Sequence, residues 1–235
     1  MKKLLITLVA AAALALPALG QSIYVAGTFN GWTINGNLMT YEGGNIWQLS
    51  LTGLSPGSFQ QFKFTDGVSW SDPNFPSSGN SWLYADGSGN ATITYDLNTY
   101  SDGWVNTSQR IGVNVDPGTW TAVGDWQGWN NANPATAMSS IGGGIYELTY
   151  SIGTAGTYQY KAVDTGSWNA IGSDARSVNA NTLDFTTTAA DQTVDFYVNA
   201  LNGTIEANVV PVPEPSSLAL LGAGLAGLLV LRRRP

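Results

Sequence analysis

With no His and no Cys in 235 residues, the chain has no imidazole base, no thiol nucleophile and none of the usual zinc ligand sets. Carboxylates are the remaining groups for acid–base work, and two pairs are worth weighing, Asp66/Asp72 and Asp164/Asp174, each flanking a Trp-bearing turn. A glycosidase needs two carboxyls held about 5–10 Å apart across a cleft. These four stand beside Gly, Pro or Ser, as turn residues do. No stretch carries the Asp-x-Asp-x-Asp-Gly spacing of a calcium loop. The chain therefore does not read as an enzyme, and no cofactor or metal is expected. What the sequence does repeat is a set of aromatic and lysine residues: Trp32, Lys63 and Trp70 recur as Trp129, Lys161 and Trp168, about a hundred residues later.

The repeat extends well beyond those six positions. Gly27-Thr28-Phe29-Asn30-Gly31-Trp32 returns as Gly124-Asp125-Trp126-Gln127-Gly128-Trp129. Gly43-Gly44-Asn45-Ile46-Trp47 returns as Gly142-Gly143-Gly144-Ile145-Tyr146, and Phe62-Lys63 as Tyr160-Lys161. Alternating apolar residues predict strands over 22–28, 46–51, 58–65 and 90–97 in the first copy. In the second copy they predict strands over 119–123, 145–151, 157–163, 183–187, 193–198 and 204–209. The stretch 72–82 reads as a Pro-, Ser- and Gly-rich loop, and 100–110 as a connector. Helix signals are absent from the body. The expected fold is all-β, two tandem β-sandwiches over 21–98 and 111–209, joined by a connector over 99–110. Trp47 and Tyr146 fall at strand-interior positions and read as core.

Charge narrows the partners. Net charge is −7, and between the terminal segments the basic residues are Lys63, Arg110, Lys161 and Arg176. Such a body repels nucleic acid and anionic lipid heads. The N-terminus has Lys2-Lys3, an apolar run over 4–16, and Ala18 and Gly20 before Gln21. This is the layout of a secretory signal peptide over 1–20. At the other end, Pro213-Glu214-Pro215 precedes an apolar run over 218–231 and then Arg232-Arg233-Arg234. The run reads as a short transmembrane helix, with the Arg cluster cytoplasmic and the body outside. Over 210–235 this tripartite end resembles the PEP-CTERM sorting signal of bacterial surface and exopolysaccharide-associated proteins. The resemblance implies processing by an exosortase near the Pro-Glu-Pro triplet. The expected course is export, anchoring in the inner membrane through the C-terminal helix, and then release to the cell surface or extracellular matrix.

The first copy resembles the family 48 carbohydrate-binding modules, which are small immunoglobulin-like sandwiches that bind glycogen or starch. The residues that carry this are Gly27 to Trp32 and the turn Asp66-Gly67-Val68-Ser69-Trp70. The second copy, through Gly124 to Trp129, Tyr158-Gln159-Tyr160-Lys161 and Ser167-Trp168, resembles the small sandwich modules attached to pullulanases and outer-membrane starch proteins. By that resemblance Trp32, Lys63 and Trp70, with Asn90 as the late-strand Asn, form a glucan surface. Trp129, Lys161 and Trp168 fill the same places in the second copy, with Asp191 where the Asn would lie. Such a surface is physically sensible: an indole offers a rigid apolar platform to the C–H face of a sugar ring, and Lys and Asn bond hydroxyls. The same residues also suit a plainer role, with Trp32 and Trp129 closing the ends of the cores and the lysines solvating strand edges. The expected activity is non-catalytic polysaccharide binding, to α-glucan or exopolysaccharide. The alternative is a structural or adhesive matrix protein that binds no sugar.

Overall fold

The computed structural model describes residues 22–70, 74–76 and 78–212. The signal peptide, the Pro213-Glu214-Pro215 triplet, the 218–231 helix and Arg232, Arg233 and Arg234 lie outside the described residues. Among the described residues no helix is long and apolar enough to cross a membrane. The body is all-β.

The first seven strands are β1 (Tyr24–Gly27), β2 (Thr40–Gly43), β3 (Ile46–Leu51), β4 (Phe59–Thr65), β5 (Ser81–Tyr84), β6 (Ala91–Asp96) and β7 (Arg110–Val113). They make two antiparallel sheets, β1-β4-β5 and β2-β3-β6-β7. Alternation in β4 sends Phe62 and Phe64 inward, and β6 sends Ile93 and Tyr95 to meet them. Phe64 stacks on Tyr95 with centroids 4.0 Å apart. β7 crosses the boundary expected at 110/111: Ile111 and Val113 pair with Tyr95 and Ile93 and complete the first core. The stretch 72–82, expected as loop, contains the start of β5.

The remaining strands are β8 (Trp120–Gly124), β9 (Ala137–Gly142), β10 (Ile145–Ile152), β11 (Gly156–Asp164), β12 (Asn169–Gly172), β13 (Ala175–Val178), β14 (Leu183–Thr187), β15 (Gln192–Asn199) and β16 (Thr204–Val209). β11 is the spine: β8 lies along one edge, while β14 and β12 share the other. β9-β10-β15-β16 forms the facing layer, linked to β8 through a short pairing with β9. Tyr146 is buried in the core between them.

The two halves share their interior through the β12–β13 hairpin, which lies against β5 and β7. Trp82 on β5 is fully buried, and it packs in the second core rather than the first. Its indole donates to the Ala170 carbonyl at 3.1 Å, and its ring centroid lies 6.1 Å from that of Trp120. The Arg176 guanidinium lies 4.4 Å above the Trp82 ring, and its Nη2 donates to the Ala200 carbonyl. Nε and Nη1 have no hydrogen-bond partner among the described residues. Burial pushes the guanidinium down to about 9, against the raising effect of Asp116 and Asp164, so it stays charged at neutral pH. Around this centre Val178 N–H donates to Asn80 O at 2.7 Å, and Asn106 donates to Gly172 O and accepts from Ile205 N–H. The segment expected as a connector is thus a packed strap. Arg110, paired with Asp102 at 2.7 Å and 4.1 Å over the Tyr100 ring, holds it to β7.

Two predictions follow from this shared interior. Trp82→Ala should lower unfolding free energy by about 3–5 kcal/mol. Arg176→Met should leave it unchanged or raise it by about 1–4 kcal/mol, because it removes a buried charge that has no carboxylate partner among the described residues. Urea unfolding of both variants checks this, and a loss with Arg176→Met as large as with Trp82→Ala would contradict it. The second concerns pH. Tyr84 donates to Asp164 across the junction at 2.7 Å, and burial first, then that carboxylate, pushes its hydroxyl up to about 12. Tyr146 is pushed up to about 12 by burial and by Asp116, to which it also donates. A phenol raised in the folded state favours folding below its unfolded value of about 10, and that contribution is lost as pH rises toward 12. Denaturant midpoints should therefore fall steeply above about pH 10 and less steeply in Tyr84→Phe.

Candidate functional site

The two copies of the Gly-to-Trp motif fold alike for a reason visible in the backbone. Each runs from the end of a strand (β1 or β8) through a single 3-10 turn to a Gly in the left-handed region, Gly31 at φ 62° and Gly128 at φ 73°. Trp32 N–H donates to Gly27 O at 2.9 Å, and Trp129 N–H to Gly124 O at 2.9 Å. At Gly27 a Cβ would lie 2.5 Å from Gln61 O, and at Gly124 one would press into Gln159 O. Both tryptophans sit at positive φ, 62° and 56°. That conformation is rare for a bulky side chain and is held only where the surroundings impose it. Asn30 and Gln127 lock the turns from within, their amides reaching Val25 O and Ala122 O.

In the first half, Trp32 and Trp70 meet at the surface with centroids 6.3 Å apart and planes tilted by 53°. Trp32 is half-buried and Trp70 is 43% exposed. Trp70 stands at the end of a turn closed by Asp66, whose carboxylate accepts from the Val68 and Ser69 N–H groups, which hold it below the usual range. Lys63 points its ammonium at the neighbouring loop, donating to Asn74 Oδ1 at 3.1 Å and Pro76 O at 2.7 Å. Partial burial lowers its pKa. Asn90 is elsewhere: it sits in the turn between β5 and β6, where its N–H donates to Asp86 Oδ1 at 2.8 Å.

In the second half the grouping is tighter. The Lys161 ammonium lies 5.9 Å from the Trp129 ring and 5.3 Å from the Trp168 ring. It donates to Asn179 Oδ1 and Ala180 O, both at 2.9 Å. The residue is 5% exposed, whereas Trp168 is 41% exposed. Burial lowers the Lys161 pKa, partly offset by the Asp174 carboxylate. Asn131 ties the two Trp loops together, donating to Ser167 O at 2.9 Å and accepting from Gly166 N–H at 2.8 Å. Asp191 lies in the turn before β15 and is exposed. The Asn beside the lysine is Asn179, at φ 57°, whose N–H also donates to Trp168 O at 2.7 Å. Sequence reasoning missed it because it follows β13, a strand the alternation did not reveal. The first copy holds the matching clue, since Asn74 bonds Lys63 as Asn179 bonds Lys161.

The carboxylates are used as acceptors. Asp164 takes the Tyr84 hydroxyl, and Asp174 takes Ser177 Oγ and Asn181 N–H at 2.9 Å each. Burial raises both. Asp72 lies outside the described residues. Among those residues no cluster of acidic groups is arranged to hold a metal.

Two family models match parts of the chain. Residues 117–205 match the pullulanase X25 domain. Residues 211–234 carry a PEP-CTERM protein-sorting motif. The X25-type domain thus runs from just before β8 to the start of β16, and it contains Trp129, Lys161, Trp168 and Asn179 together with the β12–β13 hairpin. Among solved structures, a pullulanase from Bacillus acidopullulyticus is similar at 14% identity and a TM-score of 0.29. That alignment covers 81% of this chain and 28% of the pullulanase. Among curated proteins, none matches the sequence.

The geometry makes the turn glycines testable. Gly27→Ala and Gly124→Ala should each cost about 1–3 kcal/mol through overpacking. Each should also shift the fluorescence of the Trp five residues on. Thermal midpoints with emission spectra measure this, and a variant unchanged in both would show that the close approach does not govern the turn.

Proposed function

We propose that this is an exported bacterial envelope protein whose two immunoglobulin-like modules contact polysaccharide without catalysis. The observation that carries the reading is the grouping of Trp129, Lys161 and Trp168, echoed by Trp32 and Trp70 with Lys63 in the first module. The exposed Trp168 indole and the partly buried Trp129 beside it offer apolar platforms to a sugar ring, with the Lys161 ammonium between them. The X25-type match and the resemblance to starch-binding modules make α-glucan the first candidate and the producer's own exopolysaccharide the second. The PEP-CTERM motif supports recognition by an exosortase and transfer to the cell surface or matrix. Membrane attachment through the 218–231 helix would be the intermediate stage. A single site of this kind should bind in the micromolar to millimolar range, about −4 to −8 kcal/mol.

A specific observation also favours a second reading. Both lysines already have two acceptors within the protein, and the junction is rigidly packed, as suits a structural or adhesive spacer. Affinity electrophoresis in gels with glycogen or amylopectin separates the two. Retardation of the wild type, reduced in Trp32→Ala/Trp70→Ala and in Trp129→Ala/Trp168→Ala, supports polysaccharide contact. Unchanged mobility across α-glucans and extracted exopolysaccharide supports the spacer.

A further inference from the structure

We propose, building on the polysaccharide reading, that the two Trp–Lys groups form one continuous surface across the module junction. On this account a single extended chain occupies both. Nothing in the repeat requires this, because two modules on a flexible linker would present independent sites. The hydrogen bonds specify otherwise.

The loop that accepts the Lys63 ammonium at Pro76 O continues to Asn80. Asn80 is fixed twice: its side chain donates to Gln61 on β4 at 2.7 Å, and its carbonyl accepts from Val178 N–H at 2.7 Å. The next residue is Asn179, which accepts from Lys161 and donates through its N–H to the Trp168 carbonyl. A Cβ placed on Gly79 would come within 2.9 Å of Val178 O, so the two backbones touch where the modules meet. Four residues of chain reach at most about 14 Å, which keeps the two ammonium groups within about 30 Å of each other along this path. Lys63 and Lys161 lie on the strand faces opposite Phe62, Phe64, Tyr160 and Ala162, and the Lys161 face also carries a small buried cluster of Val123, Val163, Ala170 and Ala180 on which Trp129 packs. The hairpin whose Arg176 packs on Trp82 is flanked by Trp168 and Asn179, so docking of the modules and placement of the second site are one structural event.

The ligand this surface suits is a linear, hydroxyl-rich chain long enough to cross the junction. A short oligosaccharide would fill either half alone. Calorimetric titration of residues 22–212, which hold all the described strands, tests it with two probes. One is maltotriose, and the other is a linear α-(1→4) glucan longer than about 30 Å. The expected result is two maltotriose molecules per protein but one long chain, bound at least tenfold tighter, as tethering predicts. Trp70→Ala or Trp168→Ala should each reduce maltotriose to one per protein and lower long-chain affinity by about tenfold or more. Both indoles are more than two-fifths exposed, so neither change opens a core. Two long chains per protein at the maltotriose affinity would overturn the continuous surface and leave the polysaccharide reading intact. Silence with both probes would overturn the surface as an α-glucan site. Gel retardation by exopolysaccharide would then decide separately whether the wider reading survives.

Discussion

Both halves of this protein close over one buried cation on an indole face. Among the described residues Arg176 has no carboxylate within bonding reach, yet it is fully enclosed, stacked on Trp82 and tied to the Ala200 carbonyl. Taking a guanidinium out of water is costly, and stacking on an indole with one backbone bond recovers only part of that cost. The arrangement persists because both modules close around it. The Trp82 side chain reaches from β5 into the second core, Ala175 enters the first, and the strap from Tyr100 to Arg110 is laced to Gly172 and Ile205. The outcome is two all-β halves whose relative placement is set by a shared interior.

How much of this was legible in the sequence depended on burial. Strands buried on one face and wet on the other alternate, and those expected over 183–187 and 204–209 coincide with β14 and β16. β5 and β13 were missed because the junction covers both of their faces. In β5 Ser81, Trp82 and Leu83 are all buried, and in β13 Ala175, Arg176 and Ser177 are too. With no wet face a strand has no alternation, and an Arg and two Ser at buried positions look like loop. β7 was missed for a related reason: Arg110 reads as a connector charge until its pairing with Asp102 and its packing over Tyr100 are known.

The candidate site residues divide along the same line. Trp32, Lys63 and Trp70, and Trp129, Lys161 and Trp168, were found because the chain states them twice. Asn179 follows a strand the pattern conceals, and its counterpart beside Lys63, Asn74, lies in a loop. Asn90 was chosen by its place near a late strand and proved to belong to the Asp86 turn. The left-handed backbone at Trp32 and Trp129 could not be read in advance. It arises from two glycines pressed against β4 and β11, which leave the following turn no other exit.

Four indoles form the proposed contact surface and the interior ones serve as scaffold, which indole N–H signals can test directly. The chain has 9 Trp residues. In a heteronuclear NMR titration of residues 22–212 with a linear α-glucan, Trp32, Trp70, Trp129 and Trp168 should shift together. Trp82 and Trp120 should stay in place. Shifts confined to other indoles, or none up to millimolar glucan, would contradict the account.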